Sequence, residues 1–343
     1  MELLVEVSRG ERLESSHWGH IAVVDARGAL LSHVGDPEVW ICMRSLAKPV
    51  QALPLILTGA APAFGFGEEE LALCCGSLNG QDFQVAVVEG ILQRLGLTPA
   101  HLQCGVHAPS HRPTAAALTQ AGLKPAPVHN NCAGKHAAML ALCVHHGWPV
   151  DDYLDPSHPV QQLILDTIAQ VTKVPRDLIT VAVDGCGAPV FYAPLRQIAL
   201  AYARLAAAGG PVPPEGRLAE AMALLTRACL NHPRHLAGDG RICTDIMTAL
   251  PGRVLAKTGA EGGYALALVE PGLGVALKVA DGHPRGLNPA IIETLAQLRT
   301  LTPEAAAALA PYHHPMIKNH RKEIVGRIEP VFQLAGDRNF QKL

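Results

Sequence analysis

Arg44-Ser45-Leu46-Ala47-Lys48-Pro49 sets a serine and a lysine three residues apart, at the head of an apolar run that reaches Leu57. The run Leu46–Leu57 is apolar nearly all round, which predicts a buried helix opened by Ser45 and Lys48. Three residues are nearly one helical turn, so the hydroxyl and the amine would share a face. A serine hydroxyl is a weak nucleophile at neutral pH. A nearby amine activates it once burial or a second cation has lowered the amine pKa. The free N–H groups of a helix start offer a place for an oxyanion. Taken alone, the tetrapeptide equally describes a serine cap beside a solvated lysine.

Two more short motifs change that balance. Ser77-Leu78-Asn79, followed by Gly80, comes after the apolar Leu71–Cys75 and by itself reads as a turn. Lys257-Thr258-Gly259 ends the run Arg253–Ala256 and by itself reads as the end of an edge strand. In this order, Ser-x-x-Lys, Ser-x-Asn and Lys-Thr-Gly resemble the three motifs of the serine β-lactamase and penicillin-binding family. The set predicts two pairs in one pocket, Ser45 with Lys48 and Ser77 with Lys257. Each lysine would depress the pKa of the other and favour a neutral base. The spacing is not that of a β-lactamase: Ser45 and Ser77 are closer together, and no deacylating glutamate segment is evident.

Outward from these motifs, Leu3–Val7, His20–Val24 and Ala29–Val34 read as an opening antiparallel meander. Phe83–Leu95, Ala133–His146, His158–Gln170, Pro194–Ala207, Leu218–Leu230 and Pro289–Thr300 read as helices. Leu178–Val183 reads as a buried strand. Arg253–Lys257, Gly263–Val269 and Gly274–Val279 read as three antiparallel strands, and Glu323–Glu329 as a last one. Strands at both ends with helices between them predict an α+β fold, a single domain over 1–343 whose antiparallel sheet pairs the two ends and is flanked by helices. Ala206–Glu215, rich in Gly and Pro, is the clearest loop.

A second cluster surrounds two cysteines. Asn130-Asn131-Cys132-Ala133-Gly134-Lys135-His136 leads into a helix, and a helix N-terminus lowers a thiol pKa. Cys186 lies in Asp184-Gly185-Cys186-Gly187, where glycines allow close backbone approach. Two thiolates suit a soft cation such as zinc, and His136 is the third ligand that residue chemistry favours. Spacing alone also fits two unrelated loop cysteines. Cys42, Cys74, Cys75, Cys104, Cys143, Cys229 and Cys243 sit mostly in apolar segments and read as core.

Bulk properties remove several classes of function. The chain has 343 residues, 49% hydrophobic and 17% charged, with a net charge of −2. That is a globular enzyme composition without a basic block, which excludes nucleic acid and membrane surfaces as expected partners. Met1-Glu2-Leu3-Leu4-Val5-Glu6-Val7 is not a signal peptide, and Pro54, Gly59 and Pro62 interrupt the most apolar stretch. With nine cysteines and no export signal, reduced thiols in the cytoplasm are expected.

Taken together, Arg44–Pro49, the Cys75-Gly76-Ser77 loop, Asn131–His136, Asp184–Gly187, His232-Pro233 through Ala237-Gly238 to Thr244-Asp245, and Lys257–Gly259 resemble the rhizobial-type, or type II, asparaginases. The resemblance runs from the first strands to about Pro330. It implies a β-lactamase-like or glutaminase-like fold, hydrolysis of L-asparagine to L-aspartate and ammonia, and a homodimer. It implies two Ser–Lys tandems on Ser45, Lys48, Ser77 and Lys257, and a zinc site on Cys132, Lys135 and Cys186 with His136 beside it. Ser45 is the expected nucleophile with Lys48 as base, and the reverse assignment to Ser77 stays open. Arg44 and Asp184 are the expected partners of the substrate's α-carboxylate and α-ammonium, since an amino acid needs one of each sign. Leu78 and Gln81 depart from the family, which usually carries a histidine and a glutamate there. The rival expectations are another acyl-serine hydrolase and a catalytically weak zinc-binding homologue.

Overall fold

The computed structural model describes residues 1–336; residues 337–343 of the domain predicted over 1–343 lie outside it. Its strands, in chain order, are β1 (Glu2–Arg9), β2 (Arg12–Asp25), β3 (Leu30–Val34), β4 (Trp40–Cys42), β5 (Val181–Val183), β6 (Pro189–Pro194), β7 (Val254–Thr258), β8 (Gly263–Leu268), β9 (Leu273–Val279), β10 (Met316–Lys318), β11 (Ile324–Pro330) and β12 (Ala335–Gly336). The main sheet runs β10-β11-β1-β2-β9-β8-β7, with β3 on β2 and β12 on β3. Its pairings are antiparallel, and β1 joins strands from both ends of the chain through Val5↔Pro330 to Arg9↔Gly326. The β1–β2 hairpin turns at Gly10, whose φ of 54° suits a two-residue hairpin loop.

β2 organises the sheet because it is long. Its first part pairs with β1, and beyond Gly19 it pairs with β9 and β3. His20–Val24 is buried at every position, not at alternate ones. Such a strand is covered on both faces. Helix Leu195–Gly209 packs on β2, β8 and β9, and helix Pro284–Gln297 packs on β1, β9 and β11. The first helix comes so close that a Cβ on Gly274 would fall 1.9 Å from the Ala199 carbonyl oxygen and 2.3 Å from the Ala203 nitrogen. Neither is a flexible side chain, so the helix must shift to make room. Gly274→Ala is therefore expected to cost about 1–3 kcal/mol of stability through overpacking. The urea midpoint measures this, and an unchanged midpoint would contradict the close approach.

The α+β architecture, an antiparallel sheet flanked by helices, is as the sequence predicts, and the buried apolar side chains form one contiguous cluster. Three local expectations need correction. Helix Lys48–Leu57 starts at Lys48, and Ser45 sits before it in a 3₁₀ turn, Arg44–Ala47. Leu178–Val183 is not a buried strand: only Val181–Val183 is extended, and both valines are exposed. β5 is the outer strand of a separate sheet, β4-β6-β5, which lends it only one neighbour. The helix expected over Pro289–Thr300 spans Pro284–Gln297, capped by the His283 side chain on the Arg285 N–H. Pro284 takes the first-turn position that a proline fills at no cost, which leaves Pro289 inside the helix. Among the described residues no helix is long and apolar enough to cross a membrane.

Candidate active site

Ser77 follows the short helix Glu68–Cys74 and lies where two buried amines meet. Lys257 Nζ, on β7, is 2.7 Å from Ser77 Oγ, and Lys48 Nζ, at the first turn of its helix, is 3.2 Å away. Both lysines are 0% exposed. Lys48 also donates to the Asn131 carbonyl at 3.0 Å, and Lys257 to the Thr258 carbonyl at 2.8 Å. Among the described residues neither amine has a carboxylate partner within ion-pair distance. A buried amine without a counter-charge favours its neutral form. Burial accordingly pulls Lys257 down to about 7, with the Lys48 charge adding to it. Burial also pulls Lys48 down, and the neighbouring Cys132 partly opposes this.

The backbone fixes this meeting point. The Ser77 N–H donates to the Leu236 carbonyl at 2.9 Å, and the Leu78 N–H to the Asn131 carbonyl at 3.1 Å. Gly76 lies where a Cβ would sit 2.6 Å from the same Leu236 oxygen. The Gln84 side chain accepts from the N–H groups of Asn79 (3.1 Å) and Gly80 (3.2 Å) and donates to the Arg234 carbonyl at 3.1 Å. β7 reaches the serine turn as well, since a Cβ on Gly259 would fall 3.0 Å from Leu46 Cγ. Ser-x-x-Lys, Ser-x-Asn and Lys-Thr-Gly are thus neighbours in space.

Ser45 is partly exposed, whereas Ser77 is buried. Arg44, just before Ser45, has φ 45°, in the left-handed region that a non-glycine residue seldom adopts. Its Nε pairs with Asp184 Oδ1 at 2.8 Å. The two expected substrate partners therefore face each other. Asp184 Oδ2 also lies 3.4 Å from Lys135 Nζ and 3.8 Å from Cys186 Sγ.

Cys132, Cys186 and Asp184 each present one ligand atom within 4.8 Å of the others. The nearness of Cys186, with the Lys48 and Lys135 charges, overcomes burial and holds Cys132 well below the usual thiol range. Cys186, beside Cys132 and buried, is pushed up. Burial opposes the charge on Lys135, but Cys132, Cys186 and Asp184 outweigh it and raise its pKa. His136 stands apart: its Nδ1 bonds Tyr153 Oη at 2.7 Å, and burial lowers its pKa well below the usual imidazole value. All nine cysteines are free thiols, with Cys42 the one that is not buried.

The sequence does not reveal the carbonyl roles of Asn131, named there only within its motif, and of Leu236, since every residue type carries a carbonyl, nor does it reveal Gln84 and Asp239. Gln81 carries a signal only as a departure. Its Oε1 accepts the Asp239 N–H at 2.8 Å and its Nε2 donates to Asp239 Oδ2 at 3.0 Å. A glutamate could accept the first but would repel the second, so glutamine matches Asp239 here. Leu78 is fully buried in the core.

Among solved structures, this chain is similar to Mglu in its tris and glutamate form, at 15% identity over 82% of this chain and 59% of that chain, with a TM-score of 0.39. It is similar to a beta-lactamase from Mycobacterium bovis at 13% identity over 86% of this chain and 95% of the other, with a TM-score of 0.32. A Bacillus glutaminase gives 13% identity over 85% and 88%, with a TM-score of 0.36. The chain thus spans less than two thirds of Mglu. No curated protein sequence matches it. The family model described as L-asparaginase II matches residues 5–330, which include every motif residue of the site. The chain belongs to the L-asparaginase II family.

Proposed function

We propose that the protein is an amidohydrolase that converts L-asparagine to L-aspartate and ammonia through an acyl-serine. The observation that carries this is the Ser77 hydroxyl held between two buried amines, at 2.7 and 3.2 Å, with the partly exposed Ser45 three residues before one of them. Ser45 Oγ attacks the side-chain amide carbon and gives its proton to Lys48, which turns from its bond to Ser77 Oγ to receive it. The C–N bond breaks, and a proton passed through Ser77 and Lys257 completes the ammonia. Water, deprotonated by the same relay, then cleaves the ester to the carboxylate. Arg44, 30% exposed and held by Asp184 through one of its donors, has others for the α-carboxylate. Asp184 takes the α-ammonium if it loosens its hold on Arg44 or Lys135. The protein works as a homodimer in the cytoplasm on this small-molecule substrate.

The cysteine cluster suits zinc: two converging thiols, one of them strongly acidic, with an amine beside them. Cys132, Cys186 and Lys135 would hold it. Bound zinc would supply a fixed positive charge next to the substrate site. Lys135 ligates only as a neutral amine, and Cys132, Cys186 and Asp184 hold its proton, so zinc affinity falls as pH falls. Removing the metal is expected to raise KM and leave measurable kcat, because the nucleophile is a serine. Metal analysis followed by kinetics after chelation checks this. Complete loss of kcat with the fold intact, restored by zinc, would make the metal catalytic.

Ammonia release across a panel of linear amides tests the function. L-asparagine should give the highest kcat/KM. If no amide releases ammonia while a chromogenic β-lactam is turned over, the protein is a different acyl-serine hydrolase.

A further inference from the structure

A second cluster of metal-binding side chains lies on the far side of the Ser77 loop. Glu69 comes from helix Glu68–Cys74, and His232 and His235 from the segment that supplies the Leu236 carbonyl. One ligand atom from each falls within 4.8 Å of the others. His232 Nδ1 is 3.9 Å from Glu69 Oε1, and His235 Nε2 is 3.7 Å from Glu69 Oε2. These gaps are too long for hydrogen bonds, which close at about 2.7–3.2 Å. They are close to the roughly 3.3–3.4 Å between ligands around a tetrahedral ion with bonds of about 2.0–2.1 Å.

The neighbours hold these three groups in place: His232 Nε2 lies 3.6 Å from Glu68 Oε2, which leaves its Nδ1 toward Glu69. Glu68 is engaged by Arg227 (2.9 Å) and by Asn231 (2.8 Å), whereas Glu69, among the described residues, pairs only with the two imidazoles. The His235 ring is set edge-on against Phe83, with centroids 5.1 Å apart. A cleft of about 430 Å³ opens beside both histidines and leaves room for an ion's remaining water or outside ligand. Two imidazoles and one carboxylate form a donor set for zinc, cobalt or nickel rather than for calcium or magnesium.

We propose that Glu69, His232 and His235 form a second metal site, separate from the cysteine cluster, that takes one divalent transition ion. The ion clamps helix Glu68–Cys74 to the segment His232–Gly238. Those are the two pieces of chain on either side of the Ser77 N–H···O=C Leu236 bond, 2.9 Å long. Occupancy therefore stiffens the loop that presents Ser77. The cysteine site holds its ion through thiolates and this one does not, which makes the two separable by spectroscopy.

The test is cobalt binding to the full chain, followed by absorption and by metal analysis after dialysis. Thiolate ligation gives a near-ultraviolet charge-transfer band, and histidine–carboxylate ligation does not. Wild-type protein should take up one equivalent of Co²⁺ without that band. His232→Ala, His235→Ala and Glu69→Gln should each weaken that equivalent at least about tenfold, since even outer-sphere partners of metal sites are worth that much. Glu69 is exposed and the two histidines are partly buried, and the thiolate band, unchanged in the variants, reports that the rest of the fold is intact. The same binding in the variants as in wild type, or bound cobalt that always carries the thiolate band, would overturn the site. Hydrogen exchange at the Ser77 amide should slow when the ion is added to wild type and not in His235→Ala. Metal binding without added protection would overturn the clamp.

Discussion

Lys257→Met is expected to abolish turnover and to make the protein more stable. The amine lies in the core, 0% exposed, and is pulled from its usual 10.5 to about 7, chiefly by burial. Each unit of that pull is about 1.4 kcal/mol of preference for the neutral form. The methionine forfeits the hydrogen bonds to Ser77 Oγ and the Thr258 carbonyl, at about 1–3 kcal/mol for the groups left unpaired. Burying the amine costs more than those bonds return, so methionine is favoured. The sign of the pH dependence follows. Between about 7 and 10.5 the unfolded chain holds a proton on this lysine that the folded chain has released. Wild-type stability therefore rises with pH across that window, and this contribution is absent below it. Lys257→Met should remove the slope, raise the melting temperature at neutral pH by about 2 °C or more, and lower kcat by about 10²–10⁴-fold or further. A variant that melts below wild type at pH 7 would show that Lys257 is charged and paired in the folded protein.

Ser45→Ala and Ser77→Ala should fail in different ways. With Ser45 as the attacking group, Ser45→Ala loses on the order of 10⁴–10⁶ in kcat, the scale of a removed nucleophile. No acyl-enzyme should then be found on quenching. Lys48→Ala should be as inactive, because it removes the base. Ser77→Ala removes the link between the two amines, 3.2 and 2.7 Å away, but leaves an attacking hydroxyl. Its kcat should fall by about 10²–10⁴, the scale of proton-transfer catalysis. Mass spectrometry of the quenched variant should still find the acyl group on Ser45. An acyl group on Ser77 in wild type, or near-wild-type turnover by Ser45→Ala, exchanges the two roles.

Much of the site is legible in the sequence because its parts are side chains in short motifs. The motifs predict Ser45 with Lys48 and Ser77 with Lys257 in one pocket; the structure has Lys257 on Ser77 as expected, and Lys48 on Ser77 as well instead of on Ser45. What escapes is carried by the backbone or by alternatives that local pattern cannot separate. The carbonyls of Asn131 and Leu236 hold the site, and any residue has a carbonyl. Leu178–Val183 is apolar enough for a core strand, yet β5 pairs only with β6 and turns both valines to solvent. Pro189–Pro194 is bounded by prolines that mask a strand, although Val190 and Phe191 are core residues. The Ser-x-x-Lys spacing predicts Ser45 and Lys48 on one helix face. The left-handed Arg44 and a tighter turn instead aim Lys48 at Ser77.

The position of β1 and β2 has a consequence for biosynthesis. Both leave the ribosome before the strands they pair with across the sheet: β2 waits for β9, about 250 residues later, and β1 for β11, later still. During synthesis the nascent chain exposes a hairpin whose His20–Val24 segment is buried on both faces in the finished protein. Such an open apolar edge pairs readily with other chains. Slow delivery of β9 should therefore lower the yield of folded protein. A messenger that stalls after the helices and before β9 should yield aggregate in place of a shortened but folded product.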